Sequence, residues 1–130
     1  MNDFMGSMSA AASGMNAQGY RLRLVSENVA NADTPGYRRK TVGFNAVFDS
    51  AAGANRVEVG RVTFDSAPLE ERYDPANPLA NEAGYVQMSN VNLVMEMADG
   101  REANRSYEAN LATFQQARHM YSSLLDLLKR

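Results

Sequence analysis

The sequence contains no cysteine and no tryptophan, and it has a single histidine, His119. Without cysteine there can be no disulfide bond, no thiolate metal ligand and no cysteine nucleophile. A site built on several histidines is excluded by the count, so a solvated or helix-capping role is favoured for His119. The net charge of −2 argues against a general nucleic-acid-binding protein. We therefore expect no cofactor, no metal and no nucleic-acid partner.

Long hydrophobic runs and catalytic motifs are missing as well. No uninterrupted apolar stretch approaches the ~20 residues that span a bilayer. The first basic residue is Arg21, so the positive start of a cleaved secretory signal is absent and export would need an uncleaved signal. There is no phosphate-binding loop, serine elbow or zinc-binding helix motif, and the acidic residues between 65 and 74 lack the spacing of a calcium loop. The sequence thus predicts neither an enzyme nor a small-molecule substrate.

What the sequence does have is a seven-residue apolar repeat near its start, which predicts a long amphipathic helix. Asn2 or Asp3 is a suitable N-cap, and Pro35 and Gly36 supply a stop. Gln18 is the only polar member of the repeat. The two rows of the repeat are Met1, Met8, Met15, Leu22 and Val29, and Phe4, Ala11, Gln18 and Val25.

A second amphipathic helix is predicted at the other end of the chain. Its apolar rows comprise Tyr107, Phe114, Tyr121 and Leu128, and Leu111 and Leu125. Arg118 interrupts the second row. Ser89 or Asn90 is expected to cap the helix start, and Gly100 predicts a kink or a frayed first part.

The middle of the chain reads as a small β-rich region. An apolar cluster follows the first helix at positions 42–48, and alternating valines and phenylalanine at 57–64 predict two short strands or one bulged strand. Residues 84–88 predict another strand, and the small polar segment 49–55 predicts a mobile loop. We expect a mostly α fold, a coiled-coil-like hairpin of two terminal helices with short strands between. The segments are 1–35, 36–88 and 89–130, which together form one assembly module.

The two apolar stripes exceed what this middle region can cover. An apolar stripe at helical spacing is most often an ordinary core face, but here both stripes are long and lie at the chain ends. Other chains are therefore expected to complete the core. The residues predicted to pack between subunits are Phe4, Met8, Ala11, Met15, Leu22, Val25, Val29, Tyr107, Leu111, Phe114, Tyr121, Leu125 and Leu128.

Several motifs resemble those of bacterial flagellar rod and hook proteins. The run Ser26–Tyr37 is similar to the signature that follows the first helix of that family. Residues 77–80, 84–86 and 89–92 resemble the segment that leads into its last helix, and residues 102–110 resemble the start of that helix. The signature is predicted to form a sharp reversal in which asparagine side chains hydrogen-bond the helix end and a tyrosine ring packs back with its hydroxyl in water. A plain helix-stop turn would use the same residues. The residues concerned are Asn28, Asn31, Thr34, Pro35, Gly36 and Tyr37.

The resemblance implies a function that composition alone does not. Such subunits leave the cytoplasm through the flagellar type III export apparatus and assemble into a hollow tube that crosses the periplasm in the basal body. The implied partners are further copies of the chain, other rod proteins and the base-adaptor protein. The short length is similar to that of the proximal-rod members. The alternative from another class is a secreted helical-hairpin protein that binds partners as a discrete dimer, and a peptidoglycan-cutting enzyme is disfavoured because usable catalytic groups are lacking.

Overall fold

The computed structural model describes residues 2–130 and has two long helices with two small antiparallel sheets between them. Met1, the first member of the predicted heptad repeat, lies outside the described residues. The predicted mostly α class with a small β region is confirmed. The elements are α1 (Asn2–Ala30), β1 (Lys40–Asp49), β2 (Ala54–Phe64), β3 (Glu71–Tyr73), β4 (Tyr85–Gln87) and α2 (Leu93–Leu128).

The helices α1 and α2 run antiparallel and lie very close together. A Cβ added at Gly14 would come within 2.6 Å of the Asn110 side chain, and one added at Gly100 within 3.4 Å of Val25. Gly100 was expected to kink or fray α2, but the helix is continuous through it. Packing of α2 against α1 around this position outweighs the poor helix propensity of a single glycine. Neither helix of the described part is long and apolar enough to cross a membrane.

The cap of α2 differs from the prediction. Asn92 is the N-cap, and its side-chain oxygen accepts from the backbone N–H groups of Val94 at 3.0 Å and Met95 at 3.3 Å. Ser89 and Asn90 instead bind other segments: Ser89 donates to the carbonyl of Ala32, and Asn90 accepts from the backbone N–H of Arg39. The prediction was wrong because three suitable capping residues occur within four positions, and tertiary contacts take two of them.

The strands β1 and β2 form a hairpin that lies along α1. Residues 57–64 belong to a single bulged strand, which was one of the two predicted alternatives. Val42 pairs with Val62 and Phe44 pairs with Val59, so β2 has one extra residue at this point. The predicted loop 49–55 comprises the ends of both strands and a tight turn over 50–53. In that turn the N–H of Gly53, at φ 66°, donates to the carbonyl of Asp49 at 2.8 Å.

Polar and close backbone contacts hold the hairpin on α1. The hydroxyl of Ser13 accepts from the backbone N–H of Val57 at 2.9 Å, and a Cβ at Gly6 would lie 3.0 Å from the carbonyl oxygen of Ala52. The small sheet of β3 and β4 follows, with Tyr73 and Tyr85 opposite one another. Helix α1 therefore lies between α2 on one side and the hairpin on another.

Candidate subunit-packing surface and polar junction

A cluster of polar side chains joins the end of α1, the linker to β1 and the start of α2. We call this cluster the polar junction. Its members come from three segments, so it fixes the positions of those segments relative to one another. It consists of Arg21, Asn28, Tyr37, Arg39, Glu96 and Asp99.

Asn28 is at the centre of the junction and is only 1% exposed. Its oxygen accepts from the hydroxyl of Tyr37 at 2.9 Å and from the backbone N–H of Lys40 at 2.9 Å. Its amide donates to the carbonyl of Lys40 at 3.0 Å and to a carboxylate oxygen of Glu96 at 3.2 Å. All the principal hydrogen-bonding capacity of this buried side chain is thus used. Instead of pairing with the helix end, as predicted, Asn28 binds the backbone of β1.

Glu96 has no exposed surface, and sequence reasoning missed it. The guanidinium of Arg39 donates to Glu96 through Nε and to Asp99 through Nη2. Asp65 lies 3.7 Å from the same guanidinium. A buried carboxylate needs such a partner, because an unpaired charge in a dry site is strongly destabilising. The signal in the sequence is an acid inside the otherwise apolar run from Leu93 to Met97.

Two of the three basic residues that follow the signature turn, Arg39 and Lys40, pair with acids of the same chain. Arg39 pairs with Glu96 inside the chain, and Lys40 lies 3.2 Å from Glu27. The linker is short, so residues that follow it directly are brought back onto α1 and α2.

Two pKa values reflect the enclosure of the junction. Burial raises the pKa of the Tyr37 phenol, Lys40 opposes this, and the negative charges of Glu27 and Glu96 add to it. Burial alone would lower the pKa of Arg39. The hydrogen bond to Glu96 and the nearby carboxylates outweigh it and raise the pKa above its ordinary value. The Tyr37 hydroxyl donates a hydrogen bond to Asn28 at 2.9 Å, whereas the prediction left this hydroxyl to water.

The remaining signature residues form the reversal itself. Asn31 donates to the carbonyl of Glu27 at 2.9 Å and accepts from the Thr34 hydroxyl at 3.1 Å. Gly36 has φ 76°, which glycine adopts without strain, and its N–H donates to the carbonyls of Gln87 and Met88 at 3.1 and 3.2 Å. Thr34, Pro35 and Gly36 are exposed. The turn thus positions β4 as well as ending α1.

The seam between α1 and α2 is made mainly of small residues. Its buried apolar members include Ala11 and Ala17 on α1, and Ala103 and Ala117 on α2. Gly14 is also buried there. Small residues permit close approach of two helices, but they leave little volume in which larger side chains can be buried. The larger apolar residues are therefore displaced to the flanks of the seam.

The residues predicted to pack between subunits lie mostly on the flanks of the seam and not inside it. Only Ala11 is fully buried in the chain. Val29, Leu111 and Leu128 are exposed, at 44%, 36% and 68%. The others are half-buried: Phe4, Met8, Met15, Leu22, Val25, Tyr107, Phe114, Tyr121 and Leu125. The structure thus brings the two stripes side by side without covering them.

Two models of protein families match the chain. Residues 8–38 match the family described as "Flagella basal body rod protein", and residues 82–127 match "Flagellar basal body rod FlgEFG protein C-terminal". The first match contains α1 from Met8 onward and the signature turn. The second contains β4 and nearly all of α2. The class that both matches indicate is a flagellar rod protein.

Curated relatives narrow this class. The chain is 48% identical to the flagellar basal-body rod protein FlgC of Agrobacterium fabrum, over 99% of this chain and 98% of the relative. It is 37% identical to FlgC of Escherichia coli O6:H1, over 90% and 92%, and 34% identical to FlgC of Bacillus subtilis, over 95% and 97%. The chain belongs to the FlgC family of flagellar basal-body rod proteins. This is a family of structural proteins and not of enzymes.

Proposed function

We propose that this chain is a structural subunit of the flagellar proximal rod and that packing between its helices and those of neighbouring subunits builds the rod. The rod is a hollow shaft across the periplasm. It transmits torque from the motor and passes exported subunits through its channel. The observation that carries this proposal is the large accessible surface of a single copy, on which many apolar side chains remain uncovered.

The accessible surface of the chain is 8891 Å². A compact monomer of 14.3 kDa exposes about 6,800 Å² by the usual scaling of surface with mass. The excess is about 2,000 Å², and a standard protein–protein interface covers about 800 Å² on each partner. One copy therefore has surface to spare for two or more neighbours, as a subunit inside an assembly requires.

The chemistry of the uncovered surface also supports packing between helices. The flanks of the seam carry methionine, leucine and aromatic side chains that are half-buried, among them Met15, Tyr107 and Phe114. A coiled-coil-like arrangement in which a neighbouring helix covers each flank would bury them. Because close-packed side chains deform little, many such contacts would resist the shear that accompanies rotation. The three segments 1–35, 36–88 and 89–130 then act as a single assembly module.

The partners follow from the family to which the chain belongs. They are further copies of this chain, other rod proteins, the base-adaptor protein below the rod and the flagellar type III export apparatus. Export would use an uncleaved signal. The absence of cysteine fits a protein that crosses the export channel unfolded and folds without disulfide bonds.

The test places a charge on one flank of α2. In Leu111→Asp and Phe114→Asp, a carboxylate enters the proposed interface, and unpaired charges are strongly disfavoured in dry interfaces. We expect loss of rod assembly and of swimming, while the amount of subunit that is exported changes little. Ala112→Asp is the matched control, because Ala112 is exposed beside Leu111 on the polar side of α2.

Swimming motility, export into the periplasm and circular dichroism of the purified variants are the measurements. Normal swimming by both flank variants would contradict the proposal. A stable, discrete dimer of the wild type in light scattering, with no larger assembly, would favour the alternative of a secreted partner-binding dimer.

A further inference from the structure

We infer that two copies of the free subunit pair through the open edges of their β1 strands, antiparallel and about a twofold axis at Asn45, to form a four-stranded sheet. This pairing goes beyond the proposed function, because it concerns the subunit before it enters the rod. Three features support a second copy as the partner: the free backbone groups of β1, the symmetry of its side chains and a cavity beside it.

The first feature is the row of backbone groups on the outer edge of β1. The backbone N–H of Val57 donates to Ser13 and not across the hairpin, so it is directed away from β1. The residue opposite it, Ala46, is directed outward too, because facing residues of an antiparallel pair either exchange hydrogen bonds or both point away. Every second residue of β1 shares this orientation. Within residues 2–130, no backbone group of residues 41–48 bonds the backbone of a segment outside the hairpin.

The free edge of β1 has defined limits. At its start Lys40 is closed, because its N–H and its carbonyl both bind the side chain of Asn28. At its end Asp49 leads into the turn over 50–53. The four outward residues that remain are symmetric about Asn45: Val42, Phe44, Ala46 and Phe48. In an antiparallel pair centred there, each outward residue meets an outward residue of the partner, so every free N–H and carbonyl of the edge finds a partner.

The second feature is the match of side chains that this register brings together. Phe44 lies opposite Ala46 of the partner, so a large side chain meets a small one. Phe48, which is 66% exposed in the single copy, lies opposite Val42 of the partner, and aromatic and β-branched cross-strand pairs stabilise sheets. Residues 41–48 contain no charged residue and no proline, which are the means by which proteins protect an exposed edge. The edge is therefore a template for another strand.

The third feature is a cavity of about 230 Å³ between β1 and the helices. Leu24, Val25, Val42 and Phe44 form its apolar wall, and the polar junction forms the other. Side chains alternate along a strand, so the four outward residues of β1 lie on the face of the sheet that borders this cavity. Phe48 of the partner, placed opposite Val42, lies beside the cavity on the same face. Since a cavity of about 150 Å³ holds a benzene molecule, there is room for its ring.

The symmetry of the pairing places it before assembly. A twofold contact uses the same surface on both copies and closes on itself. It therefore ends at two copies and does not extend into a tube, in which all subunits have the same direction. In the free subunit it covers an edge that would otherwise recruit strands of other chains. It also joins two hairpins into a sheet of four strands, which is more stable than a hairpin alone.

The absence of natural cysteine allows the twofold axis to be tested with one substitution. In Asn45→Cys the two thiols face each other across the axis, at a separation at which disulfide bonds form. Val47→Cys is the matched control, because it and its counterpart are four residues apart along the paired strands, about 13 Å at 3.3 Å per residue. Under mild oxidation of the purified proteins, we expect Asn45→Cys to give disulfide-linked dimers at a yield at least tenfold above that of Val47→Cys.

A second pair of variants tests the backbone hydrogen bonds without cysteine. Ala46→Pro removes an outward N–H of the free edge and takes no hydrogen bond from the hairpin. Ala46→Ser keeps the N–H and is the matched control, and circular dichroism checks that both variants keep their helices. In light scattering over a concentration series, we expect the wild type and Ala46→Ser to form a reversible dimer. The dimer of Ala46→Pro is expected to dissociate at a concentration at least tenfold higher.

Equal disulfide yields from Asn45→Cys and Val47→Cys would overturn the pairing, as would a wild type that stays monomeric throughout the concentration series. Disulfide-linked pairs of Asn45→Cys in isolated basal bodies would overturn its assignment to the free subunit. A dimer that is reversible and absent from basal bodies is also distinct from the discrete dimer of the alternative function. The proposed function is tested by swimming of variants of α2, so the rod role stands or falls independently of these results on β1.

Discussion

The two halves of the helix pair are held together by different means. In the base half, residues 21–30 of α1 and 93–103 of α2, the helices are joined by Arg21 to Asp99 and Glu102, and by Asn28 to Glu96. In the tip half, residues 2–20 and 104–128, the seam consists mainly of alanine, glycine and half-buried apolar side chains, with Asn110 against Gly14 as a polar exception. Among the side chains of residues 3–130, every hydrogen bond and ion pair between the two helices belongs to the base half.

The polar contacts of the base half and the apolar seam of the tip half have different consequences for the helix pair. A satisfied polar network accepts only one arrangement, so the base half sets the register of the helices. An apolar seam of small residues tolerates sliding and separation, so the tip half can adapt to neighbours. We therefore expect the isolated subunit to be well ordered at the base and loosely ordered at the tip.

The largest expected effect comes from removing the buried acid. Glu96→Ala leaves Arg39 without its main partner, and breaking a buried pair from one side costs about 3 kcal/mol or more of unfolding free energy. The exposed ion-pair partner Glu102 is the matched control, since surface pairs contribute less than about 1 kcal/mol. Urea denaturation followed by circular dichroism measures both. If Glu96→Ala costs no more than Glu102→Ala, the base half is not locked by its charges.

A second variant tests whether stability requires the charged pair of Arg39 and Glu96 or only side chains that fill the same space. Replacing both partners, Arg39→Met with Glu96→Leu, removes the unpaired charge as well as the pair. Apolar replacements of buried pairs are often neutral or stabilising, so at least half of the lost stability is expected to return. A double variant as unstable as Glu96→Ala would mean that the geometry of this network is itself required.

Hydrogen exchange measures the comparison directly. Amides at 24–30 and 96–103 are expected to exchange about thirty-fold more slowly than those at 4–12 and 115–125, which corresponds to about 2 kcal/mol of local opening free energy. In assembled rods the difference should shrink, because neighbours cover the tip half. Uniform protection along both helices of the isolated subunit would show that the seam of small residues is as strong as the polar junction.

The close approach of α1 and α2 in the tip half can be tested by replacing a glycine of the seam with a larger residue. Gly14→Leu places a side chain where Asn110 now lies, and overpacking of this kind costs about 1–3 kcal/mol. Gly19 is the control, since a Cβ there would meet no atom within 4 Å. Gly19→Leu should instead be neutral or stabilise α1 by up to about 1 kcal/mol. Equal effects of the two substitutions would show that α2 does not need the gap at Gly14.

The smallest expected effect concerns Tyr37. Tyr37→Phe removes one hydrogen bond to Asn28 and should cost about 1 kcal/mol at pH 8. The pKa of the Tyr37 phenol is raised in the folded state, so its stabilising contribution is complete below pH 10 and is lost as pH rises further. The difference between wild type and Tyr37→Phe should therefore narrow above pH 10. Tyr85→Phe, at an exposed ring, should show no such change.

The sequence allowed the helices to be predicted because their signals are long and local. The heptad rows, the stop at Pro35 and Gly36 and the strand near Val86 were all visible as patterns. Strand β1 was recognised only as an apolar cluster, since its apolar residues Val42, Phe44, Val47 and Phe48 do not alternate regularly with polar ones. Its partner β2 is joined by a turn whose hydrogen bonds come from Asp49 and Gly53, which composition alone does not distinguish from a flexible loop.

The polar junction could not be predicted, because it depends on long-range contacts. Arg39 and Glu96 are 57 positions apart, and although Glu96 interrupts an apolar run, nothing local identifies Arg39 as its partner. The family signature pointed to Asn28 and Tyr37, but as parts of a turn and not as partners of each other. Which of three neighbouring residues caps α2 was likewise decided by tertiary contacts at Ser89 and Asn90. Local chemistry restricted the possibilities without choosing among them.

Asn28 contacts β1 through the backbone of Lys40 and not through its side chain. This attachment therefore depends on where the backbone of β1 begins and not on the side chain at position 40. A substitution at position 40 would remove the ion pair with Glu27 but would leave both hydrogen bonds that hold the start of the hairpin against α1.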